Sequence, residues 1–352
     1  MNLDDHQTFP TFDPANILAR IDGLPGQLES AWKLGQELPL PAWQDIRQVV
    51  ISGMGGSAIG ADLLAAYLAP TSHVPVFVHR DYDLPAFAHG PETLVIATSH
   101  SGNTEETLSS FERASENGCR CIALTTGGKL AQMAQQAGVP CWIFDHNGPP
   151  RTAVGYSFGL LLSAVTRLSL LSDPSDELSG AVAAMRKQQE RLRADVPAVQ
   201  NPAKRYAGQF MGRWVVVIGA EILAPVARRW KGQINEIAKA WSQLEMLPEA
   251  DHNTLEGLLN PEDLMDHMLV LFLQAPSYHP RNQLRSELTR QSFMMQGINT
   301  DVVNAQGNTR LDHLWTALHF GDYTAYYLAM AYGVDPTPVE MMDSLKQTMK
   351  AQ

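Results

Sequence analysis

Cysteine is scarce: the 352 residues hold three, Cys119, Cys121 and Cys141, each in or beside an apolar run. An odd trio without zinc-knuckle spacing excludes a disulfide-stapled scaffold, and the three read as small buried residues of a reducing compartment, with no metal site expected. Positive charge is in deficit, with 26 Lys and Arg against 37 Asp and Glu and a net charge of -11. This argues against a nucleic-acid partner, because phosphate backbones are held by clustered basic side chains. Any anionic ligand must therefore be held by local donors. Long apolar runs are missing too. The longest near-apolar stretch, "FGLLLSAVTRLSLL", is 14 residues with an arginine inside, too short and too charged to span a bilayer. The first twenty residues, "MNLDDHQTFPTFDPANILAR", carry acids and prolines where an export signal needs a cationic start and an apolar centre. A soluble, cytoplasmic chain without a membrane partner is expected.

What is present is a globular composition, 45% hydrophobic and 18% charged, on a chain long enough for two domains. Residues 1–45 read as a helical extension, with "NILARIDGLPGQLESAWKLG" interrupted at "GLPG". From Gln48 short apolar runs alternate with helical stretches: "VVISG", "VPVFVH", "TLVIATS", "CIALTT" and "CWIFD". Runs without polar alternation predict strands buried on both faces, hence a doubly wound α/β domain with a parallel sheet over 46–193. Its last part reads as one helical stretch from about Ala153 to Arg193. A polar, proline-bearing linker is placed at 194–202. A second α/β domain follows over 203–334, with strand-like "WVVVIG", "LEMLP", "MLVLFLQ" and "INTDVVNA", and a C-terminal helix over 335–352.

The stretch "VVISGMGGSAIG" runs a strand into a glycine turn and a helix start, so backbone amides there can face an anion with no side chain in the way. Three readings compete. It is a ligand-free tight turn, or a dinucleotide fingerprint through Gly53, Gly55 and Ala58 with Asp81 downstream, or a site for a simple phosphate. The next strand favours the last. "TLVIATSHSGNTEET" ends in Ser99, Ser101 and Thr104 around Gly102, hydroxyls suited to a monophosphate that the dinucleotide reading leaves unexplained. Simple N-capping by Thr104 is compatible with that role, since both use the same orphan amides. The turn "ALTTGGKL" reads as a strand end and helix cap. "GPPRTA" puts Arg151 on a proline-stiffened loop near the carboxyl ends of the strands, as a surface charge or as a cation facing developing negative charge.

In the second half, "RRWKGQINEIAKAW" places Glu236 on a helix whose Val226, Trp230, Ile234, Ile237 and Trp241 form the expected buried side. Pattern alone leaves Glu236 an ordinary helix glutamate with Lys239 or Lys231 as partners. "LPEADHNTLEG" sets His252 after a short strand between acids. With no second histidine at helical ligand spacing, a metal role is poor.

"GMGGSAIG", "SHSGNTEET", "TTGGKL" and "PPRTA", in that order and spacing, resemble the first sugar isomerase (SIS) domain of the bifunctional phosphoglucose/phosphomannose isomerases, and "INEIAK" and "PEADHN" continue the resemblance to the C-terminal helix. The resemblance implies two SIS-type, flavodoxin-like domains and an aldose–ketose isomerase of glucose 6-phosphate, fructose 6-phosphate and mannose 6-phosphate, with no cofactor. It also implies roles. Gly55, Gly56, Ser57, Ser99, Ser101 and Thr104 bind the sugar phosphate, and Arg151 stabilises an enediolate. Glu236 shuttles the proton between C1 and C2. His252 opens the sugar ring from the neighbouring subunit of a homodimer, and Lys346 is the C-terminal active-site lysine. The chain departs from the commoner family wording at His100, inside the hydroxyl turn, and at Ile237, where "NENAK" has asparagine. Two rivals stay in view: a non-catalytic sugar-phosphate sensor, which needs neither Glu236 nor His252, and a dinucleotide-dependent oxidoreductase.

Overall fold

The five apolar runs of the first half form one sheet. In the computed structural model, which describes residues 2–351, β1 (Gln48–Ser52), β2 (Val76–His79), β3 (Thr93–Ser99), β4 (Arg120–Thr125) and β5 (Cys141–Ile143) lie in the order β2-β1-β3-β4-β5. Every neighbouring pair is parallel, which is the flavodoxin-like order. All seven residues of β3 are buried, which accounts for its lack of polar alternation. β2, at the sheet edge, leaves Phe77 exposed.

This sheet belongs to a unit made of Gly23–Met185 and Gly307–Trp315. Its helix Leu24–Glu37 packs closely on helix Val154–Arg167, with Gly35 against Ser163 and Gly159 against Ala31. The helical stretch expected from Ala153 to Arg193 is instead two helices, Val154–Arg167 and Ser175–Gln189. The break has local causes. Ser169 takes a left-handed φ of +59°, the residue before Pro174 is pushed out of the helical region, and the Asp173 carboxylate accepts from the Ser175 N–H at 2.9 Å to start the second helix.

The remaining described residues form a second unit around β6 (Trp214–Ala220), β7 (Ser242–Leu247), β8 (Met268–Gln274) and β9 (Asn299–Asn304), ordered β7-β6-β8-β9 and parallel throughout. Residues 2–22 pack here: Phe9 lies 6.0 and 6.1 Å from the rings of Tyr326 and Tyr327, and the Asp13 carboxylate accepts from the N–H groups of Ile17 and Leu18 at the start of helix Ile17–Asp22. Helix Ala224–Ala238 buries Val226, Trp230, Ile234 and Ile237. Trp241, expected on that buried side, is 74% exposed. The helix stops at Ala238 because Lys239 turns left-handed at φ +56°, so Trp241 falls out of helical phase. Among the described residues no helix is long and apolar enough to cross a membrane.

Candidate functional site

After β1 the chain crosses to β2 on one side, and after β3 it crosses to β4 on the other, so the turns that follow β1 and β3 lie side by side at the switch of the sheet. Open α/β sheets bind ligands there. In the first turn, Gly55 has a φ of +49°, a conformation glycine adopts without cost. Gly56 answers to space instead: a Cβ on it would stand 2.6 Å from the Pro150 carbonyl oxygen. Ser57 is buried. Its hydroxyl oxygen accepts from the His100 N–H at 3.1 Å, and its carbonyl accepts from Ser157 Oγ at 2.9 Å.

In the second turn, the buried Ser99 hydroxyl lies 2.9 Å from Thr104 Oγ1, and the exposed Ser101 hydroxyl accepts from the Asn103 N–H at 3.2 Å. Helix Glu105–Glu116 starts behind Thr104, and helix Gly55–Leu68 starts behind Met54. Among the described residues, neither Thr104 nor Met54 makes a side-chain capping bond. Two neighbouring helix starts therefore offer uncapped backbone donors beside four hydroxyls, the arrangement an anion needs. The "TTGGKL" turn supports them, since the Lys129 N–H donates to Asn103 Oδ1 at 3.2 Å and the Leu130 N–H to the Gly102 carbonyl at 2.9 Å. Asp81, the acid a dinucleotide fingerprint would use, is exposed, and its carboxylate accepts from the Tyr82 N–H at 2.8 Å.

Arg151 is the middle residue of a 3-10 turn, Pro150–Thr152, and is 4% exposed, so it is not a solvated surface charge. The backbone of this turn presses on Gly56. Its far side is held by Gln27, whose side chain donates to the Thr152 carbonyl at 2.9 Å and accepts from the Gly155 N–H at 2.7 Å. The turn that carries buried Arg151 thus abuts the head of the helix that presents Ser57.

In the second unit, Glu236 is partly exposed near the end of helix Ala224–Ala238. It shares a helix face with Arg229 and Gln233 at four- and three-residue spacing. That face is anchored deep in the unit: Arg229 donates to both carboxylate oxygens of Asp322, at 3.1 and 2.7 Å, and Gln233 donates to one at 2.9 Å, with all three residues buried. Ile237, the departure from the family wording, is core. Asn235 closes the helix end by donating to the Ala240 carbonyl at 2.7 Å. An open groove of about 690 Å³ begins at this end, walled by Trp214, Lys239, Trp241, Leu264 and Tyr332. His252 is exposed at the end of the 3-10 turn Glu249–His252, which follows β7. Its neighbour Asp251 fastens the turn by accepting from Arg285 at 2.9 Å and Thr289 at 2.6 Å. Lys346 lies exposed on helix Glu340–Lys350.

The second sheet has its own switch, between β6 and β8, and there the sequence reading missed a residue. Glu221, at the end of β6, accepts through one carboxylate oxygen from the His279 N–H at 2.8 Å and the Asn282 side chain at 2.7 Å, at the head of helix Pro280–Met295. The Tyr278 hydroxyl fills the gap beside it, accepting from the Ala220 N–H at 3.0 Å and donating to the Leu273 carbonyl at 3.0 Å. Burial pushes that phenol far above its ordinary pKa. A carboxylate of the protein thus sits at the helix head beside the second switch, where the turn after β1 at the first switch has no acidic side chain. The signal was legible as Glu221 after "WVVVIGA", where the first half has glycine and serine. Among the described residues no three His, Cys, Asp or Glu side chains gather as a metal-binding group.

The family described as bacterial phospho-glucose isomerase C-terminal SIS domain matches residues 199–349, and the SIS domain family matches residues 44–165. The bifunctional phosphoglucose/phosphomannose isomerase of Caldicellulosiruptor bescii is 36% identical over 330 residues, covering 93% of this chain and 96% of that protein. The chain belongs to this isomerase family. The Aquifex aeolicus protein of the same name is 34% identical over 316 residues, covering 88% of this chain and 94% of its own. A hypothetical protein from Thermus thermophilus shares the fold at a TM-score of 0.73 and 16% identity, with 99% and 94% of the two chains covered. The first match contains Glu236, His252 and Lys346, and the second contains the two turns of the switch and Arg151.

Proposed function

We propose that the chain is an aldose–ketose isomerase that interconverts glucose 6-phosphate, mannose 6-phosphate and fructose 6-phosphate. The observation that carries this reading is the pair of uncapped helix starts with Ser57, Ser99 and Thr104 beside buried Arg151, in a member of this family.

The sugar phosphate is held by the amides of Gly55 and Gly56 and by the hydroxyls of Ser57, Ser99, Ser101 and Thr104. Ser57 is suited to donate. Its oxygen already accepts from the His100 N–H, which leaves its own hydrogen for a phosphate oxygen. His252, exposed on its tethered turn, opens the ring by moving a proton between the anomeric hydroxyl and the ring oxygen. It does so in a neighbouring copy, which makes the enzyme a homodimer. Glu236 then takes the proton from C2 and returns it to C1. The intermediate is an enediolate in which C2 is planar, so the glucose and mannose epimers converge on one species. Arg151 faces the oxygens on which negative charge grows, and Lys346 adds a second cation. Three free thiols fit a cytoplasmic setting.

A coupled assay with each 6-phosphosugar tests the activity. Glu236→Gln should lower kcat about 10⁴-fold and abolish exchange of the C2 proton with solvent, while the substrate still raises the melting temperature. Near-normal exchange would place the base elsewhere. His252→Ala should lose more rate on a cyclic substrate than on an open-chain one, and equal losses would remove the ring-opening role. A melting-temperature rise with NAD or NADP and none with a 6-phosphosugar would overturn the whole reading.

A further inference from the structure

The Arg151 turn and the hydroxyl turn are joined by a line of side-chain hydrogen bonds that the reaction above does not use. His100 stands inside the hydroxyl turn. Its N–H donates to Ser57 Oγ at 3.1 Å, and its carbonyl accepts from the N–H and hydroxyl of Thr126 at 3.1 and 2.7 Å. The base of its side chain is therefore fixed. Its Nε2 lies 2.9 Å from His146 Nδ1, and His146 Nε2 lies 3.4 Å from Thr152 Oγ1.

The direction of this line follows from counting protons. The Thr152 hydroxyl donates to the Pro149 carbonyl at 2.8 Å, and a hydroxyl has one hydrogen, so toward His146 its oxygen can only accept. His146 then carries its proton on Nε2. Its Nδ1 lone pair accepts from Nε2–H of His100. Donation runs one way, from His100 to His146 to Thr152 to Pro149, and ends on the turn whose middle residue is Arg151. The line is walled by rings: Phe144 and Tyr156 stack at 5.0 Å, His100 meets the Phe144 ring at 6.0 Å, and His146 meets the Tyr156 ring at 6.0 Å. Burial lowers the pKa of His100, in keeping with a neutral imidazole at that end of the line.

We propose that His146 and His100 are a positioning pair that holds the Arg151 turn in register with the phosphate turn, so that the guanidinium stands in place before charge develops on the sugar oxygens. The inference rests on the role given to Arg151 above. Preorganisation of this kind acts on the transition state more than on the bound substrate. Its loss should therefore fall on kcat.

His146→Phe keeps a ring beside Tyr156 and deletes the hydrogen bonds to His100 and Thr152. It should lower kcat about tenfold with KM within twofold, the size of effect a slightly misplaced group produces. In an Arg151→Lys background it should cost less than twofold, because both changes act through one guanidinium. His146→Gln, whose amide can accept from His100 and donate to Thr152, should restore most of the rate. Thr152→Val should reproduce the loss even where His146→Phe folds poorly by melting temperature. Unchanged kcat in both His146→Phe and Thr152→Val, a raised KM at constant kcat, or losses that multiply with Arg151→Lys would overturn the inference. An Arg151→Lys enzyme as fast as the parent would overturn the role of Arg151 and the inference with it. A slow Arg151→Lys beside an unimpaired His146→Phe would overturn the inference alone.

Discussion

Gly56 and Pro150 are in backbone contact: a Cβ on Gly56 would stand 2.6 Å from the Pro150 carbonyl oxygen, 2.8 Å from its carbon and 3.1 Å from the Arg151 nitrogen. These are backbone atoms, so nothing flexible can yield. Gly56→Ala must push the helix that presents Ser57 away from the turn that presents Arg151. Overpacking of this kind costs about 1–3 kcal/mol, and a displacement of an ångström in a site costs about 10²-fold in rate. We expect kcat/KM to fall by about that factor on all three phosphosugars, with the far-ultraviolet circular dichroism unchanged. Kinetics within twofold of the parent would mean that the contact does not set the site.

The carboxylate at the second switch leads to a different test. Glu221 accepts from the His279 N–H and the Asn282 side chain, so Glu221→Ser should cost about 1–2 kcal/mol by orphaning those donors. It should also open a helix start to outside anions. Inorganic phosphate should then raise the melting temperature of the variant more than that of the parent. An equal rise in both proteins would show that the vacated place holds no anion.

The contrast between the two switches shows where the sequence was legible. The strands were, because runs such as "TLVIATS" and "MLVLFLQ" are buried on both faces and need no partner to be recognised. The turns of the first switch were as well, since glycines and hydroxyls are forced on the chain by local geometry. What escaped depends on long-range contact. Trp241 continues a helical period through Ile234 and Ile237 but lies beyond a left-handed Lys239, and lysine is not a residue that announces a helix end. The pairing of His100 with His146 joins positions 46 apart, so nothing local marks it. Arg151 read equally well as a surface charge, and its burial comes with a turn packed against Gly56 and tied to Gln27, both distant in sequence.

Arg229 and Asp322 form a buried bidentate pair, each 4% exposed at the side chain, on the helix face that continues to Glu236. Removing one partner of such a pair leaves a charge in a dry site and costs about 3–5 kcal/mol. Asp322→Ala should lose stability in that range in urea unfolding. Because the pair fixes the helix from which Glu236 projects, the fraction that remains folded should also lose kcat. A stability loss with unimpaired kcat would confine the pair to folding.

Two buried histidines and one half-buried make stability depend on pH in a definite direction. His100, His313 and His319 all have pKa values lowered from 6.5, with burial the largest cause in each. Below pH 6.5 the unfolded chain takes up protons that the folded chain refuses. Their contribution is therefore complete above pH 6.5 and is lost as pH falls toward the folded-state values, at up to about 1.4 kcal/mol per pH unit for each histidine. His319 is the most enclosed. Its Nε2 lies 2.8 Å from the Ile21 carbonyl, an acceptor that requires a proton on that nitrogen and leaves Nδ1 as the site where a second proton would add. His319→Gln, which cannot take up a proton, should lower stability at pH 8 through poorer packing. Between pH 6.5 and 5 its urea midpoint should fall less steeply than that of the parent. Parallel slopes for the two proteins would mean that His319 binds its second proton as readily in the folded chain as in the unfolded one.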